Sequence, residues 1–354
     1  VQTELSTILA HFYPDLQLIS AKALGEGNIN QSFDVHLKSG SQDLHVVVQQ
    51  INQSVFKEPD ALMKNWVQVC RWLEENAQYD LEVPTPVYTS EHQSFFRDEL
   101  NYIWRVVPFF ENTIAFETVD SPDQAFEIAH SIGSFLQALK SKSAEGWIEP
   151  IPGFHDTHRR WLQFEKNLQT ASAERVREAH AALTAIQGFK PDVDLVHKLK
   201  LRGDLSIQLT HNDSKSGNVL LDSQSGLARA VIDLDTVMPG SVLSDFGDLV
   251  RSMASNMHET DQAMQDDLYI RQEILNAIVE GFLEKTADTM RATERENLML
   301  GAYWIIGEQA LRFLSDFLAG DVYYKVEYSM QNLHRAQNQL QLYKALKELA
   351  WKPG

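Results

Sequence analysis

Apolar and β-branched residues cluster in two short runs early in the chain, FDVHL at 33–37 and LHVVVQQI at 44–51, with the polar stretch KSGSQD between them. This pattern predicts two strands joined by a turn. Pro59 then follows Glu58 and opens a pattern of helical period near 59–77, with Leu62, Trp66, Val69, Cys70 and Leu73 on one face. YIWRVV at 102–107, ended by Pro108, predicts another strand. From Ser121 onward the period is mostly helical. Ser121 offers a capping hydroxyl and Pro122 a fixed φ at the first helical position, and Ile128, Ile132, Phe135, Leu136 and Leu139 run through the segment after them. Further helix is predicted within 156–186 and near 245–257, 267–286, 293–318 and 326–350, interrupted by short strands near 206–210, 218–222 and 229–234. Strands first, then helices broken by a small strand cluster, is an α+β order. It predicts a small, mainly β N-lobe with one helix over 1–110, a hinge near 108–112, and a larger, mainly helical C-lobe over 111–354.

Length and composition agree with two lobes. A chain of 354 residues exceeds one ordinary core, and 44% hydrophobic with 23% charged residues is globular composition. The net charge of −18 disfavours nucleic acid and anionic membrane as partners, so any phosphate ligand needs local cations and a metal. With Cys70 alone, no intrachain disulfide is possible. No apolar run approaches the roughly 18 residues of a membrane span. VQTELSTILAHFY lacks the basic start and apolar run of a signal peptide. The expectation is a cytoplasmic protein; its oligomeric state is not legible.

The chemistry concentrates in THNDSKSGNVLLD at 210–222. Asp213 is followed five residues later by Asn218 and then by an apolar strand; Asp233 stands twenty residues on, in AVIDLD. Phosphoryl transfer needs this set. One carboxylate orients the acceptor hydroxyl and takes its proton, while a second carboxylate and an amide oxygen hold magnesium against the nucleotide phosphates. His211, Asn212, Asp213 and Asn218 fill the spacing of a kinase catalytic loop, and Asp233 that of the later metal ligand. His211 suits bracing of the loop, and Lys215 is placed to neutralise the transferring phosphate. Taken singly, each has a plainer reading: Asn and Asp favour turns, and Lys215 suits a solvated surface equally well. LGEGNINQSF at 24–33 adds a glycine-bearing hairpin, in which Gly25, Gly27, Asn28 and Asn30 would approach nucleotide phosphates, with Asn30 standing where a third glycine is usual.

At THNDSKSGN and VIDLD the chain resembles the aminoglycoside phosphotransferase and choline kinase superfamily, which implies the bilobal fold of protein kinases. GEGNINQSF, QQINQSVFKEPDALMKN, VIDLDTVMPGSVLSDFGDLVR and LRFLSDFLAGDVYYKV resemble, more narrowly, the N-acetylhexosamine 1-kinase group. The resemblance spans about residues 20 to 340. It implies ATP and Mg2+ as cofactors and an amino sugar phosphorylated on its anomeric hydroxyl. It also implies Asp213 as base, Asn218 and Asp233 as metal ligands, and Asp245 and Asp248 as braces of the loop. Arg312 and Tyr323 fall where this group contacts its sugar, with Trp304, Glu308, Asp321 and Tyr324 nearby. Asp235 reads equally as an acceptor for a further sugar hydroxyl and as a structural acid. One departure stands out. Where kinases carry a strand lysine, this chain has Gln49. Lys215, Lys64 or the metal must then cover the phosphate charge, and a catalytically inactive binding module stays open beside an amino-alcohol or aminoglycoside kinase.

Overall fold

The computed structural model describes residues 2–24, 29–261, 268–349 and 351. Helix α1 (Gln2–Phe12) leads into strands β1 (Gln17–Ala23), β2 (Gln31–Ser39) and β3 (Gln42–Gln50). After helix α2 (Pro59–Glu74), β4 (Phe96–Arg97) and β5 (Ile103–Pro108) complete an antiparallel sheet in the order β1-β2-β3-β5-β4. The β2–β3 turn uses Gly40 at φ 56°, a left-handed value that glycine adopts without strain. Val35, Leu37, Val46, Val48, Trp104 and Val106 line one face of the sheet and pack against Leu5, Ile8, Leu9 and Phe12 of α1. Sequence pattern alone did not single out α1 and β1, although those four α1 residues have helical spacing. β1 is an edge strand with no buried residue, so its pattern carries little signal.

Helix α2 belongs to a different core. Leu62, Met63, Trp66, Val69, Cys70 and Leu73 join Ile103 and Val107 of the sheet to the main cluster that fills the helical part. One helix therefore touches both parts, which fixes the sheet over the helices by apolar packing.

Beyond the sheet come β6 (Thr113–Ala115), α3 (Pro122–Leu139), α4 (Thr157–Thr170), α5 (Ala173–Glu178), α6 (His180–Ile186) and α7 (Lys190–Arg202). The Ser121 hydroxyl accepts from the Gln124 amide at 3.3 Å, the predicted cap. Helix α7 was not anticipated: with few buried positions, Val193 and Val196 among them, it shows almost no apolar stripe. Four short strands come next: β7 (Gln208–Thr210), β8 (Val219–Asp222), β9 (Ala228–Val231) and β10 (Met238–Gly240). β6, β8 and β9 form one small sheet, and β7 pairs with β10. The strand expected near 229–234 stops at Val231, because the backbone turns left-handed at Asp233. The chain closes with α8 (Val242–Met253), α9 (Gln272–Thr286), α10 (Ala292–Glu296), α11 (Leu298–Ala319) and α12 (Gln331–Leu349). The single helix expected over 293–318 divides at Asn297, whose φ of −109° and ψ of 24° leave the helical region.

The mixed α+β order, a β-sheet N-terminal region followed by a helical C-terminal region, is the one the sequence predicts. Among the described residues no helix is long and apolar enough to cross a membrane. Two glycines set the spacing of the helices in the C-terminal region. A Cβ on Gly247 of α8 would sit 2.1 Å from the Gly301 carbonyl of α11, and one on Gly301 would sit 2.2 Å from the Leu243 carbonyl. Only glycine lets these backbones meet. The contact sets α8, which carries Asp245, against α11, which carries Glu308 and Arg312.

Candidate active site

The loop between β7 and β8 turns sharply because Asn212 takes a left-handed φ of 63°, a conformation asparagine tolerates better than most residues. Its side-chain amide donates to the carbonyls of Thr210, Thr236 and Met238, all at 3.1 Å, which locks the turn. Asp245, in the first turn of α8, accepts from the backbone amides of His211 at 2.8 Å and Asn212 at 2.7 Å, and the Ser214 hydroxyl donates to its carbonyl at 2.8 Å. Burial pushes the Asp245 carboxyl up to about 6 even though His211 and the two amides favour its charge. Asp248, expected as a second brace, makes no hydrogen bond to the loop among the described residues. It pairs with Arg251 at 2.6 Å, and Arg251 reaches Glu259 at 2.6 Å. The His211 ring braces the loop: Nε2 lies 2.9 Å from the Ile232 carbonyl and Nδ1 accepts from the Asp213 amide at 3.3 Å, so a proton on Nε2 satisfies both.

Asp213 and Asn218 meet inside this frame. The Asn218 side-chain nitrogen donates to the Asp213 carbonyl at 2.6 Å and to its carboxylate at 3.0 Å. Burial works against the Asp213 charge, but Lys215, His211, Arg251 and Asn218 together hold its carboxyl below the usual range. It is thus ionised at neutral pH. Lys215 is held more firmly protonated by Asp213 first, then by Asp233 and Glu117.

The Ile232 amide donates to the Asn218 carbonyl at 2.9 Å, tying the next segment to the loop. Asp233 then turns left-handed, at φ 60° and ψ 51°, and leads into a 3-10 turn over Leu234–Thr236. Its carboxylate opens to solvent where sheet and helices meet, yet enough protein surrounds it that burial, with the charges of Asp235 and Asp213, raises it to about 7. Among the described residues no donor reaches that carboxylate or the Asn218 amide oxygen. Two unengaged oxygen ligands amid crowded carboxylates fit a hard divalent cation. Asp233 and Asn218 would hold it; when bound, such an ion neutralises charge on a phosphoryl group.

Sequence reasoning missed the cation beside this loop. Arg105, on β5, is 2% exposed and forms a two-pronged pair with Asp235, at 2.5 and 2.9 Å. Asn30 donates to the same carboxylate at 2.7 Å and accepts from the Asn52 amide at 3.0 Å. Asp235 is 1% exposed, with both oxygens engaged. That geometry fits the structural reading of Asp235 and does not fit an acceptor for a substrate hydroxyl. Gln49 takes the Arg105 Nε at 2.8 Å and donates to Ser32 at 3.0 Å. The signal for Arg105 was a charge in the middle of an apolar strand. Gly25, Gly27 and Asn28 lie outside the described residues.

On the other side of Asp213 a second set gathers. His155 spans Glu308 of α11, at 2.8 Å, and the Asn212 carbonyl, at 3.1 Å. Glu308 also takes the Thr157 hydroxyl and lies 3.5 Å from Arg160. Arg312, one turn further along α11, bonds Gln309 at 3.0 Å and lies 5.4 to 6.0 Å from the rings of Phe154, Tyr324 and Tyr323. No carboxylate among the described residues pairs with it. Its charge is nonetheless favoured, against burial, by Tyr324, Tyr323, Glu308 and Asp213. Tyr323 is 59% exposed and held through its amide by Asp316 at 2.9 Å. Trp304 is buried core and Asp321 pairs with Arg175 at 2.7 Å, so neither is free for a ligand. His155 and Arg160 left no pattern in the sequence that would single them out.

Glu308 gives a stability prediction. Burial would raise its carboxyl, but His155, Arg160 and Thr157 pull it down to about 2. A depressed pKa contributes stability above the unfolded carboxyl's range, and this is lost as pH falls from about 4.5 toward 2. Glu308→Gln should cost about 3–5 kcal/mol at pH 7, the effect of breaking a buried pair. The gap to the parent should narrow between pH 4.5 and 2. Chemical unfolding at several pH values measures this, and a constant gap rejects it.

Known proteins resemble this chain in sequence family and in fold. Residues 20–281 match the model of a phosphotransferase enzyme family. Solved structures share the fold over nearly the whole chain at low identity. An aminoglycoside phosphotransferase from Alicyclobacillus acidocaldarius subsp. acidocaldarius is 14% identical, with TM-score 0.64, covering 97% of this chain and 94% of that one. A microcompartment-associated aminopropanol kinase is 17% identical, with TM-score 0.63, covering 98% of each chain. A choline kinase from Cryptosporidium parvum is 12% identical, with TM-score 0.55, covering 95% and 91%.

Proposed function

Because the chain belongs to the phosphotransferase enzyme family, we propose that it transfers the γ-phosphoryl group of ATP, with Mg2+, to a hydroxyl of a neutral sugar. The acceptor we favour is the anomeric hydroxyl of an N-acetylhexosamine. In this reading residues 1–110 cover the nucleotide and 111–354 supply the base and the acceptor site. Asp213, ionised at neutral pH, takes the acceptor proton as the new P–O bond forms and the bond to ADP breaks. Lys215 meets the charge of the moving phosphoryl group, and Asp233 and Asn218 hold the metal.

The observation that carries the acceptor class is the guanidinium of Arg312, which bonds Gln309, pairs with no carboxylate among the described residues, and lies near the charge of Asp213. Aminoglycosides, choline and aminopropanol carry ammonium groups, which favour acidic or open aromatic surroundings. Here two arginines, Arg160 and Arg312, lie near each other and near one buried carboxylate, Glu308. Arg312 offers a rigid fork of donors to hydroxyl or amide oxygens, which suits a neutral sugar and repels a cation. Its sequence segment, LRFLSDFLAGDVYYKV, is also one of those resembling the hexosamine kinases.

Arg312→Ala should raise the KM for N-acetylglucosamine or N-acetylgalactosamine about tenfold or more, with the ATP KM within twofold of the parent's. The 1-deoxy sugar should bind without reacting, since it lacks the attacking oxygen. Steady-state kinetics over a panel of sugars and amino alcohols tests both. Turnover of choline or an aminoglycoside, with none on any amino sugar, would overturn the acceptor and leave the phosphotransferase standing.

A further inference from the structure

Protein kinases tie the sheet to the following helix, beside the nucleotide phosphates, through a β3 lysine paired with a glutamate on that helix. Strand β3 carries no lysine here. The β3 position is Gln49, and Trp66 stands on the inner face of α2 among apolar neighbours. Arg105 lies between them, directly opposite Gln49 in the β3–β5 register. Its Nε donates to Gln49 at 2.8 Å, and its guanidinium carbon lies 4.6 Å from the centre of the Trp66 ring. Its two terminal nitrogens hold Asp235 at 2.5 and 2.9 Å. Asp235 sits two residues beyond Asp233, on the 3-10 turn after the left-handed kink. Asn30, just after the glycine-bearing segment, holds the same carboxylate at 2.7 Å. One buried side chain therefore contacts the central sheet, helix α2 and the segment that aims Asp233.

We propose that Arg105 is a positioning residue that does the joining work of the missing lysine–glutamate pair. Through Asp235 it holds the Asp233 turn at the place where metal-bound nucleotide phosphates are gripped. The planar fork matters, because two parallel bonds fix the carboxylate's orientation as well as its distance. A lysine keeps the charge and loses that orientation. Asp235 and Gln49 take three of the five N–H donors of Arg105, and the role proposed for it requires no contact with the nucleotide.

The proposal rests on Asp233 and Asn218 as the metal ligands, and its test needs no acceptor. The ratio of the ADP Kd in EDTA to that in magnesium reports how well the loop holds metal-bound phosphates. Two variants are compared with the parent, Arg105→Lys and the neutral double variant R105M/D235N. The double variant leaves no lone buried charge, a replacement that folded proteins often tolerate. The expected result is a ratio at least fivefold lower in Arg105→Lys and close to one in the double variant. The Kd in EDTA should stay within threefold of the parent's, and Arg105→Lys should unfold at nearly the parent's temperature. If the double variant does not fold, Arg105→Lys decides alone. A ratio within twofold of the parent's in folded Arg105→Lys overturns the proposal. So does a loss of ADP binding of equal size in EDTA and in magnesium, which marks general damage to the site. A parent that binds ADP equally well in both would overturn the metal assignment beneath it, a result the variants cannot produce.

Discussion

Asp213→Asn should lower turnover by about 10²–10⁴-fold, the usual cost of removing a general base, while nucleotide binding stays close to the parent's. The substitution is nearly isosteric. An asparagine oxygen at that position still accepts from the Asn218 amide, now at 3.0 Å from the carboxylate, so the loop's internal bonds survive. The frame around it is also independent of the charge. The amides of His211 and Asn212 are held by Asp245, and the Asn212 side chain bonds three backbone carbonyls. What disappears is a carboxylate kept ionised, against burial, by Lys215, His211, Arg251 and Asn218. The acceptor hydroxyl then has no group to take its proton as it attacks. Single-turnover kinetics with saturating ATP, alongside ADP titration, separates the two effects. Parental turnover in a folded Asp213→Asn variant would remove Asp213 from the reaction.

Much of this site was legible in the sequence because it is local. His211, Asp213 and Asn218 lie within eight positions of one loop, and short-range spacing survives folding unchanged. Asp233 was found because it interrupts an apolar strand, though the pattern could not show that its left-handed backbone ends that strand at Val231. What the sequence concealed depends on pairs distant along the chain. Arg105 and Asp235 are 130 residues apart, and His155 and Glu308 are 153 apart. No period or motif links such residues. Asp235 stayed open for that reason: a carboxylate two residues from a candidate metal ligand reads equally as a ligand group and as a structural acid until its buried partner is seen. The same blindness affected α7, where packing rather than an apolar stripe supports the helix.

Asp233→Ala should abolish measurable transfer, a loss on the order of 10³-fold or more, since it removes a principal anionic ligand for the ion that neutralises the phosphates. The backbone complicates this variant. Asp233 sits at φ 60°, where alanine costs roughly 1–2 kcal/mol and asparagine is tolerated. Asp233→Asn is therefore the companion. It keeps the left-handed turn and a ligand oxygen but removes the negative charge, in a place where Asp235 and Asp213 already crowd it. If the turn alone mattered, asparagine would restore function. If the charged ligand matters, both variants lose magnesium-dependent ADP binding, and the alanine variant is additionally less stable. Asn218→Ala should do less harm, because an amide is a weaker ligand than a carboxylate, although it also removes the bonds at 2.6 and 3.0 Å that steady Asp213. The order of loss is thus expected to run Asp233→Ala, Asp233→Asn, Asn218→Ala. ADP binding in magnesium and in EDTA, with unfolding temperatures for all three, reads it directly. Near-parental transfer by Asp233→Asn, or ATP turnover unaffected by EDTA in the parent, would show that Asp233 does not serve as a charged metal ligand.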